Sequence, residues 1–389
     1  MSGPRGDGFP ELLVIGGGVA GVAAAFAAEQ RGARVTLVHD RAGATELGSG
    51  ALDWLGWERD AEAPAAVLPE ALLRFSDALG AWQLTDAPAR VVTALGLTRP
   101  ARGVQRGVLD VSLLAGRRVA VPLLPRGDWD GAALCRALAR DAALSRLGVR
   151  FDPVEVSVLR FRAEEVAPSR DLAAAHDAEE RARWLAERLR PRAAEAWLFG
   201  PWLGLDTPAS EVLSEALGVP VGETLSDVGQ AAGARLGAAL ARLARRHAHV
   251  VEARVTALER DGARWLARCE APDGSPEVLS AARVVLASGG LGAGGLTLTP
   301  ARAGVSGGAR LELSFAPGLG LELDGAPLGA ASSLHGFELE QRGRFALERL
   351  GLAPSPAPGL VAAGDALAGE ARTVLRSAHT GLLAGALGA

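Results

Sequence analysis

The sequence predicts an α/β fold: a parallel sheet with helices packed on it, assembled from separated stretches of the chain and carrying an inserted second domain. Three observations lead there. A short apolar run turns through glycines into an alanine-rich helix and then into a second apolar strand, all before residue 41. A helix, a strand, a small antiparallel meander and another apolar strand follow between Ala231 and Gly295. A last short strand at Leu360 runs into an Ala/Leu helix.

In order, Leu12 to Ile15 is uniformly apolar, as a parallel strand buried on both faces must be. Val22 to Gln30 is rich in alanine, so the helix can approach a sheet closely; Gly32 ends it and Val35 to Val38 is the second strand. In "ARLGAALARLARRHAHV", Leu236, Leu240 and Leu243 share one helical face opposite the arginines. "VVEARVTALERDG" reads as one strand ending in a turn at Asp261 and Gly262, and "ARWLARCEA" returns beside it. "ARVVLASGG" is an apolar strand entering a glycine loop, and Leu360 to Ala363 is the last strand.

This order is that of a glutathione-reductase-like FAD/NAD(P)-binding (Rossmann-type) domain. Its expected pieces are residues 9–60, 227–300 and 351–389. Residues 61–226 and 301–350 are the expected inserted substrate or partner domain. That stretch holds helices such as "HDAEERARWLAERLR", strand-like pieces such as "GVLDVSLL", and most of the tryptophans.

Composition narrows the chemistry. Apolar residues make up 49% and the formal charge is −4, which fits a globular chain and makes nucleic acid an unexpected partner. Arginine supplies every Lys/Arg charge; Lys, Asn and Tyr are absent, a bias that GC-rich codon usage produces. Schiff-base lysines and tyrosine acids are thereby excluded. The two cysteines, Cys135 and Cys269, are too few for an iron–sulfur cluster, which takes about four ligands. Their separation suits a reducing cytoplasm rather than a disulfide framework. "MSGPRGDGFPE" has no apolar secretion core, and no stretch reads as a membrane span, so a cytoplasmic location is expected. No metal-ligand cluster is evident.

Gly16, Gly18 and Gly21 form G-x-G-x-x-G between a strand and a helix, the context that gives this pattern meaning. Gly16 permits the tight turn, Gly18 lets a phosphate approach the backbone, and Gly21 lets helix and strand pack closely. The helix start offers free N–H groups and a positive dipole end. An acidic residue is expected about 20 positions on, to hold a ribose. The strand instead ends at His39, eighteen positions beyond Gly21, with Asp40 after it. An imidazole cannot accept two hydroxyls as a carboxylate can. The reading therefore favours a mononucleotide such as FMN, with FAD open if Asp40 bends toward the ribose. His39 as a plain strand-end residue also stays open.

Further along, Ser49 and Gly50 in "ATELGSGALDW" can bring N–H groups and a hydroxyl to a phosphate or flavin edge. Gly289 closes the glycine loop of the apolar strand. Gly364 and Asp365 match the third flavin signature: Asp365 accepts from a ribityl hydroxyl, and the following helix aims its positive end at the flavin N1–C2 carbonyl. Asp365 as a plain helix N-cap is the alternative. His335 and His379 are the candidate bases, each equally readable as a structural histidine. Arg99 and Arg102 can grip a phosphate or stand as solvated charges.

"VIGGGVAG", "LGSGALDW", "TALGLTRPA", "RFRAEEVA", "GARLGAAL" and "VVLASGGLGAGGL" occur in an order and spacing that resemble the smaller flavoprotein subunit of anaerobic glycerol-3-phosphate dehydrogenase, from about Leu12 onward. The resemblance implies a flavin-binding subunit, with FMN the usual cofactor, in a complex that oxidises glycerol 3-phosphate to dihydroxyacetone phosphate and passes electrons to quinone. It implies a larger FAD-bearing partner, an iron–sulfur membrane subunit, and a peripheral place on the inner face of the membrane. Two rivals remain: another FAD-dependent oxidoreductase with its own small substrate, and a non-catalytic flavin- or partner-binding subunit.

Overall fold

The computed structural model describes residues 11–41, 43–54, 67–299, 310–313, 315–316, 319–323, 326–328 and 350–389. The chain divides into two compact units: residues 1–45, 69–78 and 240–389 form the first, and 46–68 with 79–239 the second. Relative to the expected limits, 46–54 and 227–239 fall in the second unit, and Pro69–Ala78 with the strands Arg310–Leu313, Leu321–Leu323 and Ala326–Leu328 in the first.

The first unit is built on a five-stranded sheet, all parallel. Its spatial order is His249–Glu252, Val35–His39, Leu12–Ile15, Arg283–Leu286 and Leu360–Ala362. Leu12–Ile15 is central and buried along its whole length, which is why it carries no polar residue. The first helix, Val19–Glu29, begins three residues earlier than the sequence suggests, because Gly21 lies inside its first turn.

The closing helix, Val374–Gly388, packs on the first helix at backbone distance. A Cβ at Gly381 would lie 2.1 Å from the carbonyl oxygen of Ala20, and one at Gly385 2.1 Å from that of Ala24. Any side chain at Gly381 or Gly385 would collide with that backbone, so glycine is what permits this approach.

The stretch read as one strand is two. His249–Glu252 adds to the sheet edge, and Arg254–Asp261 starts the antiparallel meander with Arg264–Glu270 and Pro276–Ala281. The break is Ala253, which is buried and donates its N–H to the carbonyl of His39 (2.9 Å) as the chain leaves the sheet.

The second unit holds a second parallel sheet, which the sequence reading did not foresee. Its order is Arg150–Glu155, Arg118–Leu123, Ala196–Phe199 and Val221–Glu223. A three-stranded antiparallel sheet joins Ala51–Leu52, Thr98–Gln105 and Trp82–Val92. The strand-like "GVLDVSLL" is instead a 3-10 turn at Val111–Leu114. Asp110 caps it by accepting from the Ser112 N–H (3.0 Å) and hydroxyl (2.6 Å), which competes with strand pairing. The expected helix in "HDAEERARWLAERLR" is present as Glu179–Leu189.

At the carboxyl end of this second sheet, Trp129 and Trp202 meet edge to face at 5.0 Å, with the Arg126 guanidinium 5.3 Å from the Trp202 ring. Beside them Glu223, fully buried, accepts from the Leu203 N–H and pairs with Arg235, which also donates to the Gly204 carbonyl. Among the described residues no helix is long and apolar enough to cross a membrane.

Candidate functional site

Within the first unit, the carboxyl ends of the parallel strands surround a cavity of about 510 Å³. Small-molecule sites commonly fall within about 300–1,000 Å³. Its walls come from stretches far apart in sequence: Gly16–Ala20, His39–Arg41 and Gly43–Thr45, Ala253–Val255, Ala287–Gly289 with Ala293–Gly295, and Asp365 with Arg372–Val374 and Ser377.

The glycine turn behaves as its pattern requires. Gly16 has φ +118°, and a Cβ there would lie 2.1 Å from the carbonyl oxygen of Ala287. A Cβ at Gly21 would lie 1.8 Å from the carbonyl oxygen of Gly16, so the helix can sit on the turn only through glycine. Around Gly18 the atom nearest to where a Cβ would sit is the Thr45 hydroxyl oxygen, 3.5 Å away, which keeps the backbone open on the cavity side. Thr45 Oγ1 accepts from the Val19 N–H (3.2 Å), so this loop residue already engages the helix start.

His39 lines the cavity with its ring over Gly17, where an added Cβ would sit 2.7 Å from the imidazole Cγ. Its Nδ1 is buried with no hydrogen-bond partner, and so is Oγ of Ser288, a residue whose backbone lies against the Gly16 turn. Asp40 and Arg41 are next to it, with 3.8 Å between carboxylate and Nε; Arg41 Nη2 approaches the Gly294 carbonyl at 3.5 Å.

At the other side, Gly364–Ala366 is a 3-10 turn rather than the start of the closing helix, which begins at Val374 with Thr373 as N-cap, its hydroxyl accepting from the Arg376 N–H (3.4 Å). The alternative of Asp365 as N-cap therefore does not hold. Its carboxylate instead accepts from the Ser377 hydroxyl (3.0 Å), which ties the turn to the helix. Arg372 donates to the carbonyls of Asp365 and Leu350. Among the described lining residues, three arginines and two aspartates leave a formal excess of one positive charge, suited to an anion.

The sequence-derived candidates divide. Gly16, Gly18, His39, Asp40, Gly289 and Asp365 line the cavity; Gly21 and Gly364 support it from behind, a Cβ at Gly364 falling 2.6 Å from Ala20 Cβ. Ser49 and Gly50 lie in the second unit, outside this lining. There the Ser49 carbonyl accepts from the Ser226 N–H (2.9 Å), and Gly50, at φ +100°, packs on Val108. His379 is on the closing helix but does not line the cavity; burial, then the neighbouring Arg376, lowers its pKa. His335 lies outside the described residues.

Arg99 is held by both oxygens of Asp53 (2.7 and 3.0 Å), and Arg102 donates to the Asp86 carbonyl, so both have protein partners rather than an anion. Burial pushes both cysteine thiols up to about 11, which keeps them protonated and unreactive. No group of side chains among the described residues is arranged to hold a metal.

Sequence reasoning passed over Thr45, Ser288, Arg372 and Ser377. Thr45 and Ser288 lie inside segments it had already marked, "ATELGSGALDW" and Leu286 to Gly289. Their short hydroxyls in glycine-rich loops were the available signal.

A glycine cradle at a helix start, an unpartnered serine hydroxyl beside it and a carboxylate fixed beside a second helix fit a flavin nucleotide. The fold and site define an FAD-binding α/β protein of the glutathione-reductase-like type. The chain belongs to the FAD_binding_2 family, described as an FAD binding domain, which it matches over residues 11–324; with it comes membership of the flavin-dependent oxidoreductases. The family is one of FAD, so the expected preference for FMN is not supported.

Among solved structures the chain is similar to AlpK (12% identity over 96% of this chain and 60% of that one, TM-score 0.34). It is also similar to CabE, an aromatic hydroxylase from angucycline biosynthesis (12%, 98% and 63%, TM-score 0.35), and to glycine oxidase from Geobacillus kaustophilus (16%, 97% and 94%, TM-score 0.36). It thus spans less than two thirds of the length of the first two. No curated protein matches the chain.

Proposed function

We propose that this chain is an FAD-binding subunit of a respiratory dehydrogenase, similar to the smaller flavoprotein subunit of anaerobic glycerol-3-phosphate dehydrogenase, which takes electrons derived from glycerol 3-phosphate and relays them toward quinone. The flavin part rests on one observation: the cavity where the glycine turn, His39 and Asp365 meet. The substrate part rests on the order of motifs from "VIGGGVAG" to "VVLASGGLGAGGL".

FAD, when bound, supplies a two-electron acceptor that can pass its electrons on. The chain's own residues do the holding. Gly16, Gly18 and the N–H groups at the start of the first helix would take the pyrophosphate, with the Thr45 hydroxyl beside them. Asp365, oriented by Ser377, would accept from a ribityl hydroxyl, and the start of the closing helix would face the flavin's carbonyl edge.

Relay asks less of the side chains present than direct alcohol oxidation does. Removing the proton of a C2 hydroxyl needs a base, and the described lining offers only His39, Asp40 and Asp365, the last already engaged by Ser377. In this reading the chain works with an FAD-bearing subunit and an iron–sulfur subunit at the membrane.

Two measurements test it. Cofactor released by denaturation is expected to chromatograph as FAD. Glycerol 3-phosphate with an artificial electron acceptor is expected to turn over when the FAD-bearing partner is added. No turnover with or without that partner overturns the substrate assignment and leaves a flavin oxidoreductase of another substrate.

A further inference from the structure

The strand end of such a fold ordinarily presents a carboxylate, which accepts from both ribose hydroxyls. This chain presents His39, and its surroundings fix what the ring can offer. The imidazole lies over Gly17, close enough that no side chain fits between them. Nδ1 is buried with no partner, which leaves Nε2 as the ring nitrogen a cavity ligand can reach. A neutral imidazole carries one N–H and one bare nitrogen. A buried bare lone pair is better tolerated than a buried orphan N–H, so the proton is assigned to Nε2. Arg41, two residues on, adds a second donor at the same end, its guanidinium against Gly294. Asp40, the carboxylate that follows His39 in the lining, sits beside Arg41.

We infer that His39 sets the specificity of the adenosine ribose subsite by reversed polarity: its Nε2–H donates to one ribose oxygen where a carboxylate would accept two hydroxyls. The inference rests on the FAD reading of the cavity. Its consequence is a weak grip on the adenosine half, so the chain distinguishes FAD from FMN less sharply than a strand-end carboxylate would.

The test uses the full chain, stripped of flavin and titrated separately with FAD and FMN, following flavin fluorescence. Circular dichroism checks that each variant is folded. His39→Ala is expected to weaken FAD about three- to tenfold, the worth of one neutral hydrogen bond, and to leave FMN unchanged. His39→Gln, which keeps an N–H donor, is expected to stay near the parent. His39→Glu restores a charged two-oxygen acceptor and is expected to tighten FAD about tenfold without moving FMN.

FAD affinity indifferent to all three variants overturns the inference, as do equal shifts for FAD and FMN. So does a loss on Asp40→Asn with none on His39→Ala, which would place the ribose contact at Asp40. A parent chain that binds neither flavin overturns the FAD reading itself, a result distinct from FAD binding that ignores His39.

Discussion

The two parallel sheets of this chain end in opposite ways. In the first unit the carboxyl ends of the strands open onto a cavity walled mostly by glycine, alanine and short hydroxyl side chains. In the second the corresponding end is filled: Trp129 and Trp202 pack against each other under Arg126, and the Glu223–Arg235 pair is sealed beside them. Ligands of open α/β sheets bind at this end. The difference shows that a parallel sheet supplies only the location. Whether a site exists there depends on the size of the residues in the first loop after each strand.

The filled end is where substitution is expected to cost most. Arg235→Met leaves Glu223 buried without its cation and is expected to remove about 3–5 kcal/mol, read from urea denaturation. The double variant with Glu223→Leu is expected to recover most of it, since an apolar pair has no charge to desolvate. An equal loss in both would show that shape, and not charge, holds that end together.

His176 gives the filled unit a pH dependence. It is buried, its Nδ1 lies 2.8 Å from the Leu172 carbonyl, and burial foremost lowers its pKa from 6.5 to about 4. The neutral ring is the folded form, so the unfolded chain binds the proton more readily. Stability is full above pH 6.5 and falls as pH drops toward 4, by about 3 kcal/mol in all. His176→Phe is expected to flatten that part of a stability-versus-pH curve.

At the open end, Gly16→Ala meets both a positive φ and the Ala287 carbonyl. Backbone strain alone costs about 1–3 kcal/mol, and FAD is expected to be lost on gel filtration. Retained FAD would mean that the turn is not the phosphate cradle. Thr45→Val removes the acceptor for the Val19 N–H and is expected to weaken FAD by about 1 kcal/mol, visible in the same titration.

The open end was largely legible in the sequence, because it is made by residues whose reason is local. Gly16 and Gly21 are demanded by close backbone approaches, and the central strand Leu12–Ile15 carries no polar residue to blur its pattern. The filled end was not. Its strand Arg150–Glu155 alternates between exposed and half-buried and contains Pro153, while the neighbouring Arg118–Leu123 contains Pro122. Proline in a strand argues against the assignment on sequence alone, although an edge strand tolerates it. Ser49 and Gly50 were read toward a ligand because a Ser-Gly pair looks the same in a phosphate loop and in a tight structural turn. What the fold adds is their neighbours, Val108 against Gly50 and the Ser226 N–H on the Ser49 carbonyl.

The close seating of Gly381 and Gly385 on Ala20 and Ala24 has a temporal meaning. The glycine turn leaves the ribosome well before the part of the wall carried by the closing helix and by Arg372 and Thr373 just before it. A growing chain on the ribosome therefore displays half a cradle until Arg372, Thr373 and the helix after them have followed. A ligand that needs both walls is expected to be held only once that helix has docked on the first.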